Sequence, residues 1–213
     1  MKLGEVARVL GAELASPSEH LVVGGLAYDS RLVTPGTIFF CVEGEVADGH
    51  DFAGPAAKAG AVALVVHRLI DLPLPSLLVE DTRKAMAQAA AYFYGHPSKE
   101  VDVAAVTGTN GKTTVAFFLQ SIFKAAGGSG GLIGTIGSSY NGTHLPVGRT
   151  TPEALDLQKW LRDMANAGVR RCAMEVTSIG LDRKRVEEVE FKVAVFTNLT
   201  QDHLDYHLSL IHI

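Results

Sequence analysis

Apolar residues at Leu3, Val6, Ala7, Val9 and Leu10 follow the spacing of one helical face, and Gly11 stands where such a helix would stop, so a helix is predicted over residues 2–10. The segment LVVGGLAYDS and the apolar run Ile38 to Val42 flank Thr34-Pro35-Gly36, a pattern of strands joined by a Pro-Gly turn. A helix over residues 51–60 leads into a buried strand at Ala61 to Val66. A strand at Leu77 to Val79 precedes a helix over 82–94, with Asp81 as its N-cap and Gly95 beyond its end.

His96-Pro97-Ser98-Lys99 interrupts this rhythm, because proline after a helix end forbids continuation. The expected domains are therefore residues 1–97 and 98–213. The second starts with a strand at Val101 to Val106, a glycine-rich turn and a helix over 113–126. A strand at Leu132 to Ile136, a turn at Asn141-Gly142, a helix over 152–167 and strands at Arg171 to Val176 and Val193 to Asn198 follow. Strands separated by helices call for a parallel sheet with its ligand site at the carboxyl ends of the strands. The fold class is α/β: a small N-terminal α/β domain, then a mostly parallel-sheet domain built around a phosphate loop. Trp160, Phe117, Phe118 and Phe123 are expected on helix faces turned to the core.

Composition narrows the function. With 47% hydrophobic and 20% charged residues over 213 positions, the chain can bury a sizeable core. A net charge of -4 supplies no basic field for a nucleic-acid backbone, so no nucleic-acid partner is expected. The N-terminus carries charges within its helical pattern and no stretch reaches the length of a membrane span, which predicts neither a signal peptide nor a membrane association. Cys41 and Cys172 lie far apart without metal-ligand spacing, as expected of reduced thiols in a cytoplasmic protein, where the two Asn-X-Thr sequons carry no sugar.

The chemistry concentrates after the strand at 101–106. Gly108, Thr109, Asn110, Gly111, Lys112, Thr113 and Thr114 run from that strand into an amphipathic helix. Glycines let backbone N–H groups approach phosphates at the positive end of the helix, Lys112 reaches toward the β- and γ-phosphates, and the Thr113 hydroxyl suits Mg²⁺. The spacing is GxxGKT, displaced from the common GxxxxGK[ST], since the first glycine of that form would fall on Val106. Glu175, at the end of an apolar strand, stands where a nucleotide enzyme holds its metal. Asp202, His203, Asp205 and His207 form a polar cluster after the last strand and leave metal, base and nucleotide roles open. Thr150 and Thr151 read as a helix start, Arg183 and Arg185 as solvated charges or as partners for a substrate carboxylate. The remaining histidines show no ligand spacing and receive no role.

Residues 107–114, Thr150-Thr151-Pro152-Glu153, Met174-Glu175-Val176-Thr177-Ser178 and Asn198 to His207 together resemble the Mur ligases. The resemblance extends forward to Tyr28-Asp29-Ser30-Arg31 and to Gly44 to Gly49, similar to that family's uridine-nucleotide domain, and spans residues 25 to 207 in order. It implies an ATP- and Mg²⁺-dependent carbon–nitrogen ligase of peptidoglycan synthesis, in the branch that adds a diamino acid (meso-diaminopimelate or L-lysine) to UDP-MurNAc-L-Ala-D-Glu through an acyl phosphate; separately, a monomer is expected. It further implies Lys112, Glu175 and His203 as catalytic residues, Thr113, Glu175 and His203 on the metal, and residues 108–114 on ATP. The UDP-peptide falls to Tyr28, Ser30, Glu45, Val46, Ala47, Thr150, Thr151, Thr177, Arg183 and Arg185.

Three departures from the family pattern stand out. Thr177-Ser178-Ile179 replaces a frequent Ser-Ser-His, Arg183 replaces a frequent Gln, and Leu208 to Ile213 replaces a Gly-containing helix. The last predicts a truncated or frame-shifted reading, without the lysine that completes the family's metal site and without its amino-acid domain, and so a chain inactive by itself. Two alternatives remain. A folylpolyglutamate synthetase shares the loop but begins almost directly with its ATPase domain, whereas a nucleotide-binding module without turnover would bind ATP and form no product.

Overall fold

The computed structural model describes residues 1–14, 18–44, 46–146 and 148–213. They divide into two compact units, Met1–Phe93 and Tyr94–Ile213.

In the first unit, α1 (Leu3–Leu10) is closed at its start by the Glu5 carboxylate, which accepts from the Lys2 backbone N–H at 2.6 Å. It is stopped by Gly11 at φ 63°, a left-handed conformation that glycine adopts without steric cost. β1 (Gly25–Ala27), β2 (Thr37–Phe40), α2 (Ala53–Lys58), β3 (Ala61–Val66), β4 (Ser76–Leu78) and α3 (Thr82–Phe93) follow. The four strands pair in the order β1-β2-β3-β4, all parallel. Thr34-Pro35-Gly36 forms the expected turn, with the Thr37 N–H donating to Thr34 O at 3.1 Å and Gly36 at φ 89°, but it leads into β2 from a longer connection rather than folding β2 back against β1. Parallel neighbours need a crossover, supplied here by a 3-10 turn at Ser30–Leu32 whose cap is the Asp29 carboxylate. β2 and β3 are buried along nearly their whole length, as strands covered on both faces must be. Asp81 caps α3 as expected, its Oδ1 accepting from the backbone N–H groups of Arg83 (2.8 Å) and Lys84 (3.1 Å).

The second unit comprises β5 (Asp102–Thr107), α4 (Lys112–Ala125), β6 (Gly130–Ile133), β7 (Ser139–Tyr140), β8 (Thr143–His144), α5 (Ala154–Asn166), β9 (Arg171–Glu175), α6 (Ser178–Asp182), β10 (Phe191–Phe196) and α7 (Leu204–His207). Its sheet has the order β10-β5-β9-β6-β7-β8, with the first four strands parallel and a β7–β8 hairpin at one edge. Asn141 and Gly142 both take positive φ, 46° and 81°, the requirement of a two-residue hairpin turn that keeps the strand twist.

Alternation along the central strands builds two cores. Val103, Ala105, Cys172 and Met174 pack with Leu157, Leu161 and Met164 of α5, while Val106, Ala173 and Leu132 pack with Ala116, Leu119 and Phe123 of α4. Trp160 joins the first core as expected. Phe117 and Phe118 do not meet the expectation of burial: they are 39% and 64% exposed, because the face of α4 turned to the sheet runs through Ala116 and Gln120. β10 is an edge strand with Val193 and Phe196 more than half exposed.

Cys41 and Cys172 are free and buried, and burial pushes each thiol up to about 12. Among the described residues no helix is long and apolar enough to cross a membrane.

Candidate functional site

The carboxyl ends of β5, β9 and β10 lie side by side, because these strands are parallel neighbours. Each delivers a polar segment to the same end of the sheet, which is where a parallel α/β unit places its ligands.

From β5 the chain turns through Gly108 to Gly111 into the first residue of α4, Lys112. The loop is clamped by the exit of β10. The Thr109 N–H donates to Asn198 O at 2.9 Å, the Asn110 N–H to Asn198 Oδ1 at 3.1 Å, and Asn198 Nδ2 to Asn110 O at 3.1 Å. Thr109 and Thr200 exchange two further bonds, of 3.0 and 2.8 Å. Thr197 Oγ1 lies 2.7 Å from Asn110 O and 3.1 Å from Thr107 O. Gly108, at φ 124°, lies so close to this segment that a Cβ there would overlap Thr197 Oγ1. Lys112 Nζ folds back over the loop and donates to Gly108 O at 2.7 Å and Thr109 O at 2.8 Å. The ammonium is thereby held at the start of α4, where helix N–H groups favour an anion. Thr114 is exposed in the first turn of α4.

Glu175, the last residue of β9, is 1% exposed. Thr113 donates its hydroxyl to Glu175 Oε2 at 2.8 Å, so the second loop hydroxyl and the strand-end carboxylate meet directly. Thr135 adds its N–H on Oε1 at 2.9 Å and its hydroxyl on Oε2 at 3.2 Å. Thr135 and Gly134 carry no motif, and only their place at the end of β6 brings them here. Thr150 Oγ1 is 2.9 Å from Thr135 Oγ1. Thr151 donates to the Glu175 carbonyl at 3.1 Å and accepts from the Thr177 N–H at 3.0 Å, while Thr177 caps α6 through the Gly180 N–H. One connected network thus holds Thr113, Glu175, Thr150, Thr151 and Thr177.

Arg185 is buried rather than solvated, its Nε 3.1 Å from Glu153 Oε1 and its Nη1 3.4 Å from Thr151 O. Arg183 donates to the Tyr206 hydroxyl at 2.7 Å and lies over that ring. His203 sits at the head of α7 in a left-handed conformation, φ 49°, exposed and beside Asp202, whose Oδ1 accepts its N–H at 2.9 Å. His207 Nε2 is 2.9 Å from Ser178 Oγ, which ties α7 to α6.

A cavity of ≈ 270 Å³ opens at this end of the sheet, with Gly108, Thr109, Lys112, Thr177, Asp202 and His203 in its wall. The strand-end residue Glu175 is not part of that wall. Among the described residues no group of three or more His, Cys, Asp or Glu is arranged to hold a metal. A carboxylate and a hydroxyl are nevertheless the hard oxygen donors that Mg²⁺ takes, and Mg²⁺ typically completes its shell with water and substrate phosphates rather than a full protein cage.

In the first unit, Tyr28 and Ser30 follow β1, whereas Val46 and Ala47 lie exposed in the loop after β2; Glu45 is outside the described residues. Both loops leave the carboxyl ends of adjacent parallel strands. The second is anchored at its base. Asp48 Oδ1 accepts from the His50 N–H at 2.9 Å and lies 2.7 Å from its Nδ1, and Arg68 Nη2 is 2.6 Å from Oδ2. The buried His50 ring takes the His67 N–H on Nε2 at 3.3 Å, giving a structural place to two histidines whose spacing assigned none. Burial by itself would raise the Asp48 carboxyl, but the His50 and Arg68 hydrogen bonds outweigh it and hold the group well below the usual carboxylate range.

A folded-state pKa below the unfolded one stabilises the protein above about pH 4 and is lost as pH falls through the folded value. Asp48→Asn is therefore expected to destabilise the first unit by about 1.5–3 kcal/mol at neutral pH, the range for a hydrogen bond to a charged group. Urea titrations should show a gap between variant and parent that is flat from pH 8 to about pH 5 and shrinks below about pH 4. A gap that widens in acid would contradict the assignment.

A glycine-rich loop between a central parallel strand and a helix, facing a buried carboxylate on the neighbouring strand, places the second unit among α/β proteins of the P-loop type. Residues 22–112 match the family described as Mur ligase family, catalytic domain, and residues 106–213 that of the Mur ligase middle domain. The chain belongs to the Mur ligase family. It is 44% identical over 210 residues to the UDP-N-acetylmuramoyl-L-alanyl-D-glutamate--2,6-diaminopimelate ligase of Listeria monocytogenes, covering 99% of this chain and 43% of that protein. It is 48% identical over 182 residues to the ligase of the same name from Geobacillus thermodenitrificans, covering 85% of this chain and 37% of that one. A solved structure bearing that ligase name superposes with a TM-score of 0.85 at 27% identity over the whole chain and 43% of its own length. MurF from Acinetobacter baumannii, at 21% identity and a TM-score of 0.71, shares the fold over 99% of this chain and 44% of its own. The chain thus spans less than half the length of the relatives it matches.

Proposed function

We propose that the protein acts in an ATP-dependent ligase of peptidoglycan precursor synthesis, which adds a diamino acid to UDP-MurNAc-L-Ala-D-Glu. The observation that carries this reading is the junction of the clamped loop with Glu175: Lys112 at the start of α4, and Thr113 on the Glu175 carboxylate at 2.8 Å. ATP lies along residues 108–114, with its phosphates on the N–H groups that open α4 and Lys112 against the transferring phosphoryl group. Thr113, Glu175 and His203 hold Mg²⁺, which neutralises charge between the phosphates when bound.

The free glutamyl carboxylate takes the γ-phosphoryl group to give an acyl phosphate and ADP. The amine of the diamino acid then attacks that carbonyl, and phosphate leaves as the amide forms. Thr150, Thr151 and Thr177 line the path of the UDP-peptide, and Tyr28, Ser30 and residues 45–47 take its uridine end. Arg183 and Arg185 act on the same substrate, with Arg185 working through Glu153 and the Thr151 carbonyl.

Calorimetric titration of the chain with MgATP, with UDP-MurNAc-L-Ala-D-Glu and with a folate as control tests this reading. Binding of the first two but not of folate is expected. A folded chain that binds folate, or binds neither the nucleotide nor the UDP-peptide, overturns it.

A further inference from the structure

β6 ends at Ile133, and the chain then passes the end of β9 through Gly134 and Thr135. Both donors of Thr135 are spent on one carboxylate: its N–H on Glu175 Oε1 at 2.9 Å and its hydroxyl on Oε2 at 3.2 Å. With Thr113 on Oε2, three hydrogen bonds occupy three of the roughly four lone-pair positions of that group. Gly134 completes the seat. A Cβ there would overlap Oε1 and stand 3.0 Å from Cδ, so only glycine leaves the carboxylate where it is. A buried carboxylate is stable only when so paired, and this arrangement also removes its freedom to rotate. The Thr135 oxygen, 2.9 Å from Thr150 Oγ1, can accept from Thr150 while donating to Glu175, which makes a hydrogen-bonded chain from the loop before α5 to the strand-end carboxylate.

Resting on the magnesium reading given above, we infer that Gly134 and Thr135 form a positioning element that presents Glu175 to the metal. Thr135 does not itself touch the ion. It fixes which carboxylate edge the ion meets and couples that edge to Thr150. Hydrogen-bond partners of metal ligands typically contribute 10–100-fold in metal affinity, and the sequence pattern of the loop alone offered no sign of this one.

The test is Mn²⁺ affinity measured by electron paramagnetic resonance, with the 213-residue chain and a saturating non-hydrolysable ATP analogue. Thr135→Val keeps the shape and the backbone N–H but loses the hydroxyl. It is expected to weaken Mn²⁺ binding about 10–100-fold, with Thr135→Ser restoring it and analogue binding without metal unchanged. A structural role alone would lower the melting temperature without moving the Mn²⁺ titration. Gly134→Ala, which displaces Oε1 and leaves Thr135 in place, is expected to weaken the metal in the same way. Wild-type Mn²⁺ affinity in Thr135→Val, with Glu175→Ala losing the ion, overturns the positioning role alone. Wild-type affinity in Glu175→Ala overturns the magnesium reading and the positioning role with it.

Discussion

Lys112→Ala is expected to weaken ATP binding by about two orders of magnitude while leaving the fold intact. Lys112 Nζ makes two short bonds to loop carbonyls, at 2.7 and 2.8 Å, and these are interactions a phosphate can replace with stronger ones. A hydrogen bond to a charged group contributes about 1.5–3 kcal/mol. Removing the cation from a nucleotide that it contacts through the phosphates thus costs about 3 kcal/mol, roughly 100-fold in affinity. The fold should tolerate the change because the loop is held independently by Asn198, Thr200 and Thr197. Calorimetry with MgATP and a melting curve on the same sample separate the two effects. Unchanged affinity would remove Lys112 from the site, and a collapse in melting temperature would make it a loop staple instead.

That independence of the loop from its own lysine was not legible in the amino-acid order. Residues 107–114 announce a strand, a turn and a helix by local rules, and the structure has them at Asp102–Thr107 and Lys112–Ala125. The clamp that shapes the turn comes from Thr197, Asn198 and Thr200, nearly ninety residues later, and depends on β10 pairing with β5. Hydrophobic periodicity reports the face of an element and not its neighbour in the sheet. The same limit explains Thr135, whose role depends on β6 lying beside β9. It also explains the connection through Ser30–Leu32: the Pro35-Gly36 turn is where the sequence puts it, but the parallel pairing of the strands on either side of it could not be read from the turn. Phe117 and Phe118 failed for a related reason: aromatic residues in a helical pattern imply a core, but a helix packed along one stripe leaves its other apolar residues outside. Where chemistry is local, as at the Asn141-Gly142 turn or the Asp81 cap, expectation and structure coincide.

The site is therefore assembled from two kinds of contact with different sensitivities. Glu175 is gripped from α4 and from the end of β6, whereas His203 stands exposed in a left-handed conformation at the head of a four-residue helix. Tyr206 and His207 tie that helix to α6 through Arg183, Asp182 and Ser178. On the proposed magnesium reading, a tightly held carboxylate and an exposed imidazole would leave the rest of the ion's shell to water and nucleotide oxygens. Substitutions near Glu175 should act on metal affinity, and substitutions in the β10 exit should act on the loop itself.

Gly108→Ala tests the second half of that statement, and the expected result is loss of nucleotide binding together with a lower melting temperature. The residue sits at φ 124°, where an L side chain is strained, and such conformations cost about 1–3 kcal/mol. The added Cβ would also overlap Thr197 Oγ1 and stand 2.7 Å from the Asn198 carbonyl, a backbone atom that cannot rotate away. Relief requires the loop and the β10 exit to separate, which breaks the bonds from Thr109 and Asn110 to Asn198. A total near ~3 kcal/mol corresponds to a fall of about 10 °C for a unit of this size. Gly127→Ala is the control. Gly127 has φ 78°, but a Cβ added there would meet no atom within 4 Å, so this substitution carries the conformational cost without the collision. Its nucleotide affinity should match the parent and its melting temperature should drop by only a few degrees. If Gly108→Ala and Gly127→Ala behave alike in both measurements, the close packing of the loop against Thr197 and Asn198 is not what shapes the nucleotide site.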